Sequence, residues 1–178
     1  MKLYLQTIVD SIQQEPLPEE QPQIDFVKFS DKKTLYDYQQ QALKNALKAL
    51  YKYYIDCKED KTALITLYQN NGFTENLDYR LNGNKKLKIF EEFDKDYSIV
   101  NDTVAFHHFI NRMSFWMATG SGKTLVIVKL IELLGNLIQN NQIPNNDILF
   151  LTYREDLIEQ FMHHIDEFNK SNNAIRIT

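Results

Sequence analysis

Cysteine occurs once, at Cys57, so no disulfide can form within the chain and folding rests on packing alone. A chain without internal disulfides suits a reducing compartment, and a cytoplasmic setting is the expectation. Proline occurs four times, and three of the four, Pro16, Pro18 and Pro22, stand in one acidic stretch; regular structure is expected to break there and to run long elsewhere. Positive charge is not in excess. Lys plus Arg number 20 against 24 for Asp plus Glu, a formal net charge of −4, which excludes a globally basic nucleic-acid surface. No window approaches the uncharged apolar length of a membrane span, and the N-terminus lacks the basic-then-apolar order of a secretory leader, so no membrane partner is expected. What remains is a 178-residue chain, 43% hydrophobic and 25% charged, with material for one core of ordinary size or a small domain plus an arm.

Glycine is scarce too, five in all, and two of the five fall in the stretch Met117-Ala118-Thr119-Gly120-Ser121-Gly122-Lys123-Thr124. Ser114-Phe115-Trp116-Met117 before it reads as a short buried strand, while Leu125, Val126, Val128, Leu130, Ile131, Leu133 and Leu134 after it suit a helix. A strand that turns sharply into a helix aims unpaired backbone N–H groups and the positive end of the helix dipole at one point, which fits a polyphosphate. Gly120 and Gly122 let the backbone come close. Thr119, Gly120, Ser121 and Gly122 are expected to cradle the phosphates. Lys123 is expected to reach the β- and γ-phosphates, and the Thr124 hydroxyl to ligate Mg²⁺.

Along the chain, residues 1–30 read as an arm, in which Leu5, Ile8, Val9 and Ile12 have helical spacing. A helix is predicted over 35–55, with Leu35, Tyr38, Ala42, Ala46, Leu47, Leu50 and Tyr54 on one face and Ser30, Asp31 and Thr34 as start signals. Residues 56–113 are predicted as three short helices near 61–70, 85–93 and 102–112, broken at Asn71-Gly72 and Asn82-Gly83. From 114 onward the order reads βαβα: a helix ending near Asn141, the buried strand Ile148-Leu149-Phe150-Leu151, an amphipathic helix through Leu157, Ile158, Phe161, Met162, Ile165 and Phe168, and a third strand over 174–177. Three parallel strands make only part of a doubly wound α/β sheet, so the chain is expected to be a fragment of a longer protein. The implied units are an arm, 1–30; a helix, 31–55; a helical region, 56–113; and the start of a parallel-sheet domain, 114–178.

Met117 to Thr124 in this setting resembles motif I of superfamily 2 helicases and translocases, where Thr-Gly-x-Gly-Lys-Thr follows a small residue or Met; the general phosphate-loop spelling would place its first glycine at Met117. Leu35-Tyr36-Asp37-Tyr38-Gln39-Gln40-Gln41-Ala42 resembles the upstream Tyr-Gln element of the same motors. That implies Gln39 as the reader of the adenine edge, for which a carboxamide offers a donor and an acceptor side by side. Ile148 to Gln160 is similar to motif Ia, which implies that Thr152, Tyr153 and Arg154 touch the nucleic-acid backbone. Within the superfamily the wording from Phe115 to Thr124 most resembles the motor subunits of restriction enzymes. A Tyr-Gln element near residue 35 leaves no room for an upstream nuclease, which favours the restriction subunit of type III restriction-modification systems over type I. The resemblance implies a partial RecA-like sheet, ATP and Mg²⁺ as cofactors, double-stranded DNA as substrate and the methylation subunit as partner. It also implies that residues 56–112 are an insertion, since Gln39 and Lys123 lie 123 − 39 = 84 positions apart.

The Asp-Glu pair that would hold Mg²⁺ in such motors has no counterpart here. Asp166-Glu167 lies inside a helical pattern, and Glu155-Asp156 opens a helix, where negative charge suits the dipole. No complete catalytic set is therefore expected, and little turnover, because positioning and electrostatics supply most of the catalysis in phosphoryl transfer. His107-His108 and His163-His164 are adjacent pairs that do not share a helix face, which argues against a metal site. Lys44, Lys48 and Lys52, like Lys85, Lys86 and Lys88, read as solvated faces rather than a phosphate track, and Tyr51, Tyr53 and Tyr54 as packing residues. The competing expectation is a DNA- or partner-binding assembly module whose phosphate loop is inactive. A small kinase or GTPase is disfavoured by the motif's late position.

Overall fold

The computed structural model describes residues 4–12, 25–73, 79–80, 99–152, 154–172 and 176–177. Helix α1 spans Tyr4–Ser11 and buries Ile8 and Val9. Helix α2 spans Asp37–Tyr51, a stretch with no glycine, proline or β-branched residue to weaken it, and runs on into a π-helical turn, Lys52–Asp56. A reversal follows in which Lys58 and Glu59 both take left-handed φ, 49° and 63°, and the Cys57 N–H donates to the Lys52 carbonyl at 2.9 Å. Asp60 then caps α3, Lys61–Asn70, by accepting from the Thr62 N–H at 2.7 Å.

Strands β1 (Tyr79–Arg80), β2 (Ile99–Val100) and β3 (Thr103–Val104) form a small antiparallel sheet in the order β1-β3-β2. Asn101 and Asp102, with φ of 50° and 57°, supply the two left-handed residues that a tight hairpin between β2 and β3 needs. A 3₁₀ turn, Phe106–His108, follows. The two longest helices are α4, Lys123–Gln139, and α5, Glu155–Ser171, whose first turn carries Glu155 and Asp156.

Among the described residues the buried hydrophobic clusters fall into two groups. One joins Phe29 and Leu35, Leu43 of α2, Val126 and Val128 of α4, and Phe161, Ile165 and Phe168 of α5; Leu47, Leu133 and Leu137 extend the contact between α2 and α4. The other gathers Ile8, Cys57, Leu64, Tyr68, Phe73 and Ile110, so α1 packs on α3 and its neighbours. Lys129 lies buried in the first core, where it pairs with Glu132 and sits 5.6 Å from the Phe168 ring centroid.

Several expectations change. The segments read as parallel strands, 114–117 and 148–151, carry no strand, and the sheet among the described residues is antiparallel. An apolar run states a preference for burial, but a strand exists only where a neighbour completes its ladder. Arg176 and Ile177 are likewise irregular; Ile177 is held by the Asn169 carboxamide at 2.9 and 2.7 Å. Residues 102–112 form the end of a hairpin and a 3₁₀ turn instead of a helix. Ser30 and Asp31 do not start α2, whose first turn begins after Tyr36. They sit in a tight hairpin closed by Leu35 N–H to Val27 O at 2.7 Å and a bridge between Lys28 and Thr34. On α2, Leu43 and Gln39 are buried while Tyr38 faces out. The helix expected over 85–93, Lys85, Lys86, Lys88, the prolines at 16, 18 and 22, and Tyr153 lie outside the described residues.

Candidate functional site

Residues Ala118 to Gly122 turn into α4 through a compact loop. The Ser121 N–H donates to the Ala118 carbonyl at 3.3 Å, and the Gly122 carbonyl accepts from the Leu125 and Val126 N–H groups at 3.0 and 3.4 Å, which starts the helix at Lys123. Gly120 and Gly122 have φ of 76° and 75°, a conformation that any side chain resists. The two differ in their surroundings. A Cβ on Gly120 would meet nothing within 4 Å, whereas one on Gly122 would stand 2.5 Å from Gln39 Nε2.

Gln39 is the reason. It is 2% exposed, and its carboxamide bridges two elements: Oε1 accepts the Tyr36 N–H at 2.8 Å, and Nε2 donates to the Ser121 carbonyl at 2.8 Å. The first bond is the glutamine half of a capping box, which satisfies the N–H of the N-cap residue just before α2. The Tyr38 hydroxyl donates to the same Ser121 carbonyl at 3.0 Å, and its ring stacks on Tyr36 at 5.8 Å. The Tyr-Gln element and the phosphate loop are thus in direct contact across 82 positions of sequence. One amide hydrogen and one lone pair of Gln39 stay uncommitted in these two bonds.

Lys123 is exposed and its Nζ donates to the Met117 and Ala118 carbonyls at 3.2 and 2.8 Å, so the ammonium lies over the start of the loop. Thr119 and Gly120 are exposed, and Ser121, Gly122 and Thr124 half-buried. Ser121 Oγ is buried with no hydrogen-bond partner, a hydroxyl in want of an acceptor or donor inside the loop. Left-handed glycines, an ammonium, the first N–H groups of a 17-residue helix and an unsatisfied hydroxyl fit a polyphosphate with its divalent cation.

Thr152 is half-buried in irregular chain, and Arg154 stands at the N-cap of α5. The Arg154 guanidinium forks onto Asp156, with Nε to Oδ1 at 2.9 Å, and this contact holds the Asp156 carboxyl below its ordinary range. Of the expected site residues, the structure brings Gln39 and the 119–124 loop together. It places Thr152 and Arg154 at the entry to α5. The sequence reading missed Tyr38 as a loop contact because its helical spacing assigned it to the apolar face; the only available signal was its place beside Gln39.

The family described as type III restriction enzyme, res subunit, matches residues 32–178. No curated protein and no solved structure matches the chain. The family match spans the Tyr-Gln element, the loop and both long helices that follow, and by it the chain belongs to the type III restriction enzyme res subunit family.

Proposed function

We propose that this chain is the ATP-binding part of an ATP-dependent DNA translocase or helicase, acting as the restriction subunit of a type III restriction-modification system. The observation that carries the reading is the contact between the Tyr-Gln element and the loop: Gln39 reaches the Ser121 carbonyl beside two left-handed glycines and a helix that opens on Lys123 and Thr124. In this reading Lys123 leaves its two carbonyls for the β- and γ-phosphates, the backbone of Thr119 to Gly122 cradles them, and Thr124 ligates Mg²⁺. Bound Mg²⁺-ATP supplies the phosphoanhydride whose hydrolysis drives movement. The remaining amide hydrogen and lone pair of Gln39 read the adenine edge.

A RecA-like parallel sheet belongs to the same reading. Its support is the order of apolar segment, loop, α4, apolar segment and α5, together with the family match. Double-stranded DNA is the proposed substrate, with Thr152, Tyr153 and Arg154 on its backbone, and the methylation subunit the proposed partner. Exchange of Asp156 for a phosphate at the Arg154 fork costs little, because water screens this exposed pair on both sides. No described helix is long and apolar enough to cross a membrane.

Calorimetric titration of Mg²⁺-ATP into the chain and into Lys123→Ala, with phosphate release followed in the same samples, tests the proposal. Binding that disappears in the variant is the expected result. DNA or partner binding that is indifferent to both ATP and Lys123→Ala would sink it in favour of an assembly module.

A further inference from the structure

The peptide that joins Ser121 to Gly122 is gripped from outside the loop. Its carbonyl oxygen accepts two hydrogen bonds, from Gln39 Nε2 at 2.8 Å and from the Tyr38 hydroxyl at 3.0 Å. The two donors are consecutive residues of α2. Gln39 comes from the interior at 2% exposure, and Tyr38 from the surface at 51%. Neither is loose: Gln39 Oε1 is tied to the Tyr36 N–H, and the Tyr38 ring lies against Tyr36 with only 16° between the planes.

A trans peptide points its C=O and its N–H in opposite directions. Holding the Ser121 oxygen against α2 therefore turns the Gly122 N–H away from α2. That N–H belongs to the N-cap residue of α4, ahead of the helix's own unpaired donors. Gly122 is the position where the backbone has no freedom to grow a side chain, because Gln39 fills the space a Cβ would take. The grip is thus built into the tightest point of the loop.

We propose that Tyr38 and Gln39 are positioning residues for the phosphates: together they set the Ser121–Gly122 peptide plane and aim the Gly122 N–H at the bound polyphosphate, whatever base it carries. The role rests on the ATP-binding reading and differs from base recognition, since it acts through the loop backbone. It also gives Tyr38 a function that adenine reading does not supply.

The test is titration of Mg²⁺-ATP, Mg²⁺-GTP and Mg²⁺-tripolyphosphate, which has no base, into the chain and into Tyr38→Phe, Gln39→Ala and Lys123→Ala. Tyr38→Phe keeps the ring and its stack on Tyr36 and removes one oxygen. It should weaken all three ligands by the same factor, about fivefold, the worth of one ordinary hydrogen bond. Its unfolding midpoint should fall by no more than one exposed hydrogen bond accounts for, while the Gly122 amide resonance of the free protein moves. Gln39→Ala should weaken tripolyphosphate as well, and ATP further than GTP. If Tyr38→Phe binds tripolyphosphate like the unaltered chain, the positioning role is overturned, and the ATP reading stands as long as Lys123→Ala loses ATP. An unaltered chain that binds none of the three ligands overturns both. Should Gln39→Ala fail to fold, the Tyr38→Phe series decides alone.

Discussion

At the scale of single residues, the two loop glycines share a backbone conformation and differ in their neighbours, which separates two costs that usually come mixed. Gly120→Ala meets open space and should lose about 1–2 kcal/mol, the penalty for an L-residue at left-handed φ. Gly122→Ala carries the same penalty and also drives a methyl to 2.5 Å from Gln39 Nε2, so it should lose more. In a Gln39→Ala background the additional loss should vanish, leaving Gly122→Ala equal to Gly120→Ala. Urea unfolding midpoints for the four variants check this, and an additional loss that persists without the Gln39 side chain would remove the steric account. The glycines themselves were legible in the sequence, because a phosphate loop names its positions. The occupant of the space at Gly122 was not, because Gln39 stands 83 residues away and only the fold brings it there.

At the scale of elements, α5 is clamped to the 25–35 hairpin by polar contacts. Glu167 accepts from Ser30 Oγ at 2.7 Å and pairs with Lys33, Asn172 Nδ2 donates to the Phe29 carbonyl at 3.1 Å, and His164 lies edge-on to the Phe29 ring. Burial pushes the Glu167 carboxyl up, but the hydrogen bonds from Lys33 and Ser30 and the charges of Lys33 and His164 bring it below its ordinary 4.5. Burial, then Lys33, lower His164 from its ordinary 6.5; Glu167 opposes and His163 adds to the lowering. Both shifts favour the deprotonated form in the folded chain, so the unfolded chain binds more protons and stability rises with pH. The His164 contribution is complete above 6.5 and fades as pH falls toward its lowered folded value; the Glu167 contribution is complete above 4.5 and fades below. Unfolding midpoints should therefore drop between about pH 7.5 and pH 5, and His164→Gln should flatten that drop. A profile unchanged in the variant would show that the clamp does not titrate through His164. Helices α4 and α5 were legible from apolar positions, since each buries one stripe. The hairpin was not. Its closure is backbone bonding, and its anchor at Glu167 is 137 residues from Ser30, so no local pattern announces it.

At the scale of the whole molecule, two cores divide the labour. Leu43 lies in the core that carries α2 and α4, one helical turn from Gln39, while Leu64 lies in the core shared by α1 and α3. Leu43→Ala and Leu64→Ala should each cost about 3 kcal/mol of stability. Only Leu43→Ala should weaken Mg²⁺-ATP, and equal losses of affinity in calorimetry would deny the division. The sequence announced the loop and its helix but misjudged the apolar runs that flank them. Phe115, Trp116, Ile148, Leu149 and Leu151 are all exposed, Trp116 at 96%, because composition records what a segment would bury and not what lies against it. That exposure has an optical consequence. Trp116 is the sole tryptophan of the chain and stands seven residues before Lys123, so the protein carries its own fluorophore in the segment that leads into the loop. An indole in water emits at long wavelength and is open to a collisional quencher. Whatever comes to cover the 114–117 segment, a neighbouring strand, DNA or a second protein, would blue-shift the emission and shield it, and a titration could follow that event without a label.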